Sequence, residues 1–214
     1  QIPVAVVSGI RGNLRHNKVQ CIGEAGHSGA IPRWLRRDAM FAVADLIMRL
    51  DEHWSVLLER GTDLVVTTGM LSTNSADHAP SRIPGQVNFS FEVRSKSIDT
   101  LEAFYQLMRA ECASISRERK VRFEFDRRLL SSPATMDAQL GNLLSSVCTR
   151  RSCPHEIIAS GAGHDASMFA NAGIPSAMLF IRNQNGSHNP DEAMEIDDFM
   201  LGVGVLNQAI YELS

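Results

Sequence analysis

Three glycine-rich turns in this 214-residue chain each carry a histidine: Gly26-His27-Ser28-Gly29, Ser160-Gly161-Ala162-Gly163-His164-Asp165 and Asn185-Gly186-Ser187-His188-Asn189-Pro190. An imidazole can donate, accept or relay a proton near neutral pH, and it is a common metal ligand. Small residues around it let backbone and ligand come close. One loop histidine is usually just a surface group, but three in the same setting call for a functional reading. His188 follows an apolar strand of parallel type, at the end where α/β folds place ligands. It could therefore bind zinc, with Asp191, Glu192, Glu195, Asp197 and Asp198 as nearby acids. Asp197 and Asp198 read better as first-turn acids of a helix. Asp165 could orient His164 or cap the helix that follows, and capping is the simpler role. Arg94 ends an alternating strand on its polar face, where it could clamp a carboxylate or merely face solvent. His16, His53, His78 and His155 lack the glycine setting and are assigned no role.

Other chemistries are not signalled. There is no Gly-Xaa-Ser-Xaa-Gly elbow, no phosphate-binding loop and no dinucleotide fingerprint. Cys148 and Cys153 are spaced too loosely for a redox pair. With Cys21 and Cys112 they read as reduced thiols, which fits a cytoplasmic protein. Lys+Arg is 21 against Asp+Glu 24, a net charge of -3 with no basic cluster, which argues against nucleic acid. No run of 18 apolar residues exists to span a membrane, and the start lacks the pattern of a signal peptide.

The elements that must hold these turns follow from periodicity. Ile2 to Val7 reads as a buried strand, as though the chain starts inside a fold. Residues 17–25 read as a strand, and apolar residues from Leu35 to Leu58 recur at helical spacing up to Gly61. Residues 64–68 form a strand, and Val87, Phe89, Phe91 and Val93 alternate with polar residues in another. Ser97 caps a helix through Leu101, Phe104, Tyr105, Met108 and Ile115, followed by a strand at 121–125. The order strand, helix, strand, strand, helix, strand is a ferredoxin-like βαββαβ unit. Beyond it, a helix at 136–148, a strand at 155–159, a short helix at 166–171, a strand at 174–181 and a helix from 196 to about 213 predict an α/β layer with parallel strands. That layer is an incomplete sheet of two or three strands.

Taken together, Gly23-Glu24-Ala25-Gly26-His27-Ser28-Gly29-Ala30-Ile31-Pro32 with Arg37-Asp38-Ala39, then Ile83-Pro84-Gly85 with the strand to Arg94, then the turns at 160–166 and 185–192, resemble the N-carbamoyl-L-amino-acid hydrolase/allantoate amidohydrolase family. This is a branch of the zinc-dependent aminoacylase and carboxypeptidase group. The resemblance implies an α/β plus α+β fold: a ferredoxin-like lid and dimerisation domain, 13–127, inserted into a partial α/β catalytic domain, 1–12 and 128–214. It implies two divalent metal ions (zinc, or manganese, cobalt or nickel), with His188 a ligand of one. It implies that His27 reaches the partner subunit's active site and stabilises the oxyanion. Arg94 would bind the substrate carboxylate, and Ser81, Gly163 and His164 would also contact substrate. The reaction implied is hydrolysis of the C–N bond of an N-carbamoyl-L-amino acid or related ureido carboxylate, a small-molecule substrate, in a homodimer.

Two departures stand out. Ser81 replaces the family's usual Asn, so a shorter group with one donor proton stands at a substrate contact. The family's other metal ligands and its glutamate base precede the segment matched by residues 2–8, so the chain reads as a C-terminal half that is inactive alone. The rival readings are a non-catalytic dimerising fragment and an aminoacylase- or dipeptidase-type relative.

Overall fold

A strand that is apolar on both faces must be covered on both, and β1 (Val4–Ile10), buried everywhere but Ser8, is placed that way. The computed structural model describes residues 2–214. They form two compact units, one of residues up to Arg11 together with Pro133–Ser214, the other Gly12–Ser132. The second unit extends five residues past the boundary expected at 127. Those residues contain a strand, Leu129–Ser131, that pairs with the unit's own central strand at Leu14↔Leu130.

In the unit Gly12–Ser132, β2 (Gly12–Ile22) is central. The two-residue β3 (Gly26–His27) follows it, then α1 (Ala39–Glu59), β4 (Val65–Thr67) and β5 (Leu71–Ser72). Next come β6 (Arg82–Ile83), β7 (Gln86–Ser95), α2 (Ile98–Arg119), β8 (Arg122–Phe125) and β9 (Leu129–Ser131). The main sheet is antiparallel in the order β4-β7-β2-β8, with β5 on β7 and β9 on β2. Val87, Phe89, Phe91 and Val93 of β7 are buried with Leu46 and Leu50 of α1 and Leu101, Phe104 and Met108 of α2 in one core. Each such side chain contributes about 1.5–3 kcal/mol on burial. Asn88, Ser90, Glu92 and Arg94 lie half-buried on the opposite face.

Helix starts follow their caps. Asp38 accepts from the N–H groups of Met40 (3.1 Å) and Phe41 (3.2 Å), so α1 begins at Ala39 rather than at Leu35. Arg33–Leu35 is a separate 3₁₀ turn after Pro32, and Leu35 is exposed although its spacing fits the helix. Gly61, with φ of 77°, ends α1.

In the other unit, β1 is flanked on one side by parallel β11 (His155–Ser160). Its other side pairs with antiparallel β12 (Met178–Ile181) along Val4–Val7 and with β10 (Ala134–Thr135) at Gly9 and Ile10. The expected layer of parallel strands is thus corrected: only β11 runs with β1. The chain between β11 and β12 passes through α4 (Ala166–Asn171), about 9 Å of helix, and brings β12 back along the other edge of β1 in the opposite direction. α3 (Ala138–Arg150), capped by Asp137, and α5 (Ile196–Leu213) cover Val4 and Val6.

Candidate functional site

The first turn is held by its neighbours in the chain and by a distant loop. β3 pairs with β6 through Gly26↔Ile83 and His27↔Arg82, and Ser28 N–H donates to the Ser81 carbonyl at 2.7 Å. The Arg36 guanidinium donates to the carbonyls of Ile31 (2.9 Å) and Ser28 (2.6 Å). At Gly23 a Cβ would sit 1.9 Å from the Arg37 carbonyl oxygen, and at Gly85 one would sit 2.8 Å from the Ala25 nitrogen, so both motif glycines are required by close packing. Much of the motif Gly23 to Ala39 therefore builds a platform, and His27 stands exposed on it. His27 and Ser81 line one depression of about 450 Å³ with Gly26 and Arg82.

The His27 ring is oriented by its own turn. Gly29 N–H donates to Nδ1 at 3.1 Å. An N–H can only donate, so the neutral ring carries its proton on Nε2. His27 thus offers a hydrogen-bond donor outward, the polarity an oxyanion needs.

Arg94 is not brought to this depression. It lies on β7 opposite Asn13 and Val65, eight residues beyond Gln86, roughly 26 Å along a strand rising about 3.3 Å per residue. Gly85, just before β7, accepts from Gly23 N–H, so the His27 turn sits at the other end of the strand. Nε and Nη2 of Arg94 both approach Glu92 Oε2 at 3.0 Å. Sequence reasoning passed over Glu92, whose signal was its place two residues earlier on the same face.

In the other unit, a depression of about 760 Å³ is lined by Ser160, Gly161, His164, Asn183, Ser187 and Glu192, among others. It joins the second and third histidine turns. His164 Nε2 lies 2.8 Å from Ser160 Oγ. Gly163 is in the turn but not in the lining, and a Cβ there would meet nothing within 4 Å. Asp165 makes no side-chain capping bond; its backbone is helical (φ -58°, ψ -29°), which turns the carboxylate away from the first-turn N–H groups. The capping role expected for it is not found.

His188 does not follow a parallel strand, because β12 is antiparallel to β1. Its backbone has φ of 64°, and its N–H donates to Glu192 Oε2 at 3.1 Å. Glu192 also accepts from Asn183 (2.9 Å) and Ser187 (3.2 Å). The Asn183 amide first, then the His188 N–H, hold its carboxyl below the usual range. Among the described residues, no group of three or more His, Cys, Asp or Glu is placed to hold a metal ion. The side chains present do not form a complete metal site. Asp198, expected as a first-turn acid, is also buried and accepts from Arg182 at 2.8 Å.

Thiol chemistry has no support. Burial pushes Cys21 and Cys112 up to about 12 and Cys148 up to about 11, and it raises Cys153. Cys148 and Cys153 nevertheless meet. Ser152 is left-handed (φ 53°), and Cys153 N–H donates to the Cys148 carbonyl at 2.9 Å in a Schellman cap, which brings these two side chains together. Sequence spacing alone hid that contact.

The fold and these turns together define the class. A family model described as Peptidase family M20/M25/M40 matches residues 6–212, and the chain belongs to that family. Its relatives include an allantoate amidohydrolase of Escherichia coli (strain K12), 31% identical over 214 residues, covering 99% of this chain and 50% of the relative. An N-carbamoyl-L-amino-acid amidohydrolase of Pseudomonas sp. (strain NS671) is 30% identical over 209 residues, covering 97% and 49%. A solved hydantoinase/carbamoylase family amidase from Burkholderia phymatum has a TM-score of 0.85 at 26% identity, covering 99% of this chain and 50% of that one. The chain spans about half the length of the curated relatives it matches. No helix among the described residues is long and apolar enough to cross a membrane.

Proposed function

We propose that the complete protein is a metal-dependent amidohydrolase cleaving the C–N bond of an N-carbamoyl-L-amino acid or a related ureido carboxylate such as allantoate. Residues 12–132 serve as a lid and dimerisation domain inserted into the catalytic domain, in a cytoplasmic homodimer. The observation that supports this reading best is the two-ended arrangement on β7. His27 and Ser81 lie at one end and Arg94 at the other, roughly 26 Å apart along the strand. A small ureido carboxylate cannot touch both ends of one lid. Two copies with two active centres resolve this if each centre takes its donor from one protomer and its carboxylate clamp from the other.

In this reading His27 donates Nε2–H to the developing oxyanion, with Ser81 beside it. Arg94 leaves Glu92 to grip the substrate carboxylate as a fork. His164 lines the pocket, with Gly163 in the turn beside it, and His188 is the one metal ligand of this chain. No step is assigned to the metal, because its remaining ligands are not among these residues.

The test is complementation between variants of the complete protein. His27→Ala and Arg94→Ala homodimers should each be nearly inactive on a carbamoyl amino acid. Unfolding and refolding the two together should recover about a quarter of the wild-type rate, since half the dimers are mixed and each has one intact centre. Recovery of nothing would place both residues in the same centre and defeat the reading.

A further inference from the structure

Ser160 is 1% exposed, yet its hydroxyl meets three polar atoms: Ala162 N at 3.1 Å, Ala162 O at 2.9 Å and His164 Nε2 at 2.8 Å. A hydroxyl has one proton to give and two lone pairs. The Ala162 N–H can only donate and the Ala162 carbonyl can only accept. If the hydroxyl proton went to His164, two oxygens would face each other at 2.9 Å with no proton between them, away from water. All three contacts are hydrogen bonds only in one assignment. Ser160 donates to the Ala162 carbonyl, accepts from the Ala162 N–H, and accepts from His164 Nε2–H. Neutral His164 then carries its proton on Nε2 and leaves Nδ1 as a bare lone pair. Among the described residues no hydrogen bond reaches that nitrogen. The ring stands 5.4 Å from Phe180 at the wall of the depression joining the second and third turns.

We infer that Ser160 is a positioning residue that locks His164 with Nδ1 as the acceptor, so that this wall of the pocket recognises an N–H group of the substrate rather than an oxygen. The inference rests on reading the depression as the substrate site, and it adds the polarity of that wall. A ureido or amide N–H fits such an acceptor; a carboxylate oxygen does not. The geometry also removes the other chemistry a serine beside a histidine suggests. The Ser160 proton is directed at a carbonyl, its oxygen is buried, and Asp165 does not bond the imidazole. Ser160 is therefore not a nucleophile, and a fluorophosphonate probe should leave it unlabelled.

The tautomer can be read directly. In a long-range proton–nitrogen spectrum of the ¹⁵N-labelled chain at about pH 8, above the ordinary histidine range, His164 should show protonated Nε2 and unprotonated Nδ1. The reverse pattern overturns the inference. Ser160→Thr, which keeps the hydroxyl, should preserve the pattern, and Ser160→Ala should give a mixture of tautomers. An unchanged pattern in a folded Ser160→Ala chain would show that something else sets the ring. If that variant does not fold, the wild-type and threonine spectra still decide. In the complete enzyme, the preference for a ureido substrate over the carbamate ester with oxygen in place of N–H should fall about tenfold in Ser160→Ala, the loss of roughly one hydrogen bond. A preference that survives intact counts against the inference. An enzyme with no ureido activity at all defeats the proposed function, while the spectrum still judges the role of Ser160.

Discussion

The two units bury their apolar residues very differently. Gly12–Ser132 gathers its sheet and both helices around one continuous core that includes Leu46, Phe91, Phe104 and Met108. The unit of β1 and Pro133–Ser214 has two smaller clusters, around Val4 and Val205 and around Val7 and Met136. It leaves Ile196, Phe199, Met200, Val203 and Ile210 of α5 exposed at helical spacing, with Ile210 66% accessible. A helix usually turns its apolar stripe inward; α5 is apolar on two sides and only one is covered. The difference teaches that the unit Gly12–Ser132 carries its own stability, while the other is closer to the margin at which stability is lost.

The largest expected effect is Leu46→Ala. It removes a fully buried side chain between helix and sheet and should cost about 2–5 kcal/mol in denaturant unfolding. A loss under about 1 kcal/mol would mean the core of this unit is looser than its burial implies. Hydrogen exchange compares the units directly. Amides of β2 and β7 should be the slowest, and those of β11 and α5 should exchange markedly faster. Equal protection would erase the contrast. Asp38→Ala should cost about 1 kcal/mol through loss of the α1 cap, with Asp38→Asn nearly neutral. On the open face of α5, Ile210→Ser should change stability by no more than about 0.5 kcal/mol. A larger loss would show that this face is covered in solution.

The smallest effect is acid sensitivity of the helix pair. Burial alone would raise Asp45, but hydrogen bonds from Arg49 and Arg119 outweigh it and hold the carboxyl below its usual range. Glu111 is lowered first by its hydrogen bond with His53, against burial, and then by Arg49. Carboxyls depressed in the folded state stabilise above their unfolded pKa near 4, and that contribution is lost as pH falls through the lower folded values. Arg49→Leu should therefore narrow the stability difference between neutral pH and pH 3, without touching the other unit. An unchanged difference would show that the network is only surface decoration.

What the sequence revealed follows burial geometry. The alternation of β7 was readable because one face meets helices and the other does not, and the Ser97 cap was readable because capping is local. Leu35 misled because it continues the spacing of α1, while Asp38 decides where the helix begins. Strands of two residues such as β3, β6 and β10 have no period to detect. The direction of β12 depends on where its connection goes, which no local pattern records. At the candidate sites, glycine-rich settings marked all three histidines. The polarities of His27 and His164 were hidden, because each is set by one neighbouring group, the Gly29 N–H in one turn and the Ser160 hydroxyl in the other. Both groups lie within four residues, yet only the turn's path decides which ring nitrogen they meet.

β7 acts as a ruler with a parity rule. Its even positions from Asn88 to Arg94 share the half-buried polar face and its odd positions from Val87 to Val93 the core. Inserting one residue before Arg94 would swing the guanidinium into the hydrocarbon between sheet and helices and bring apolar side chains to the polar face. A loop can change length at a cost that grows only slowly, but this strand keeps its two faces only when its length changes in pairs. The distance between the two ends of this strand is therefore one of the slowest traits to evolve, and new substrate preferences should arise by substitution at its ends.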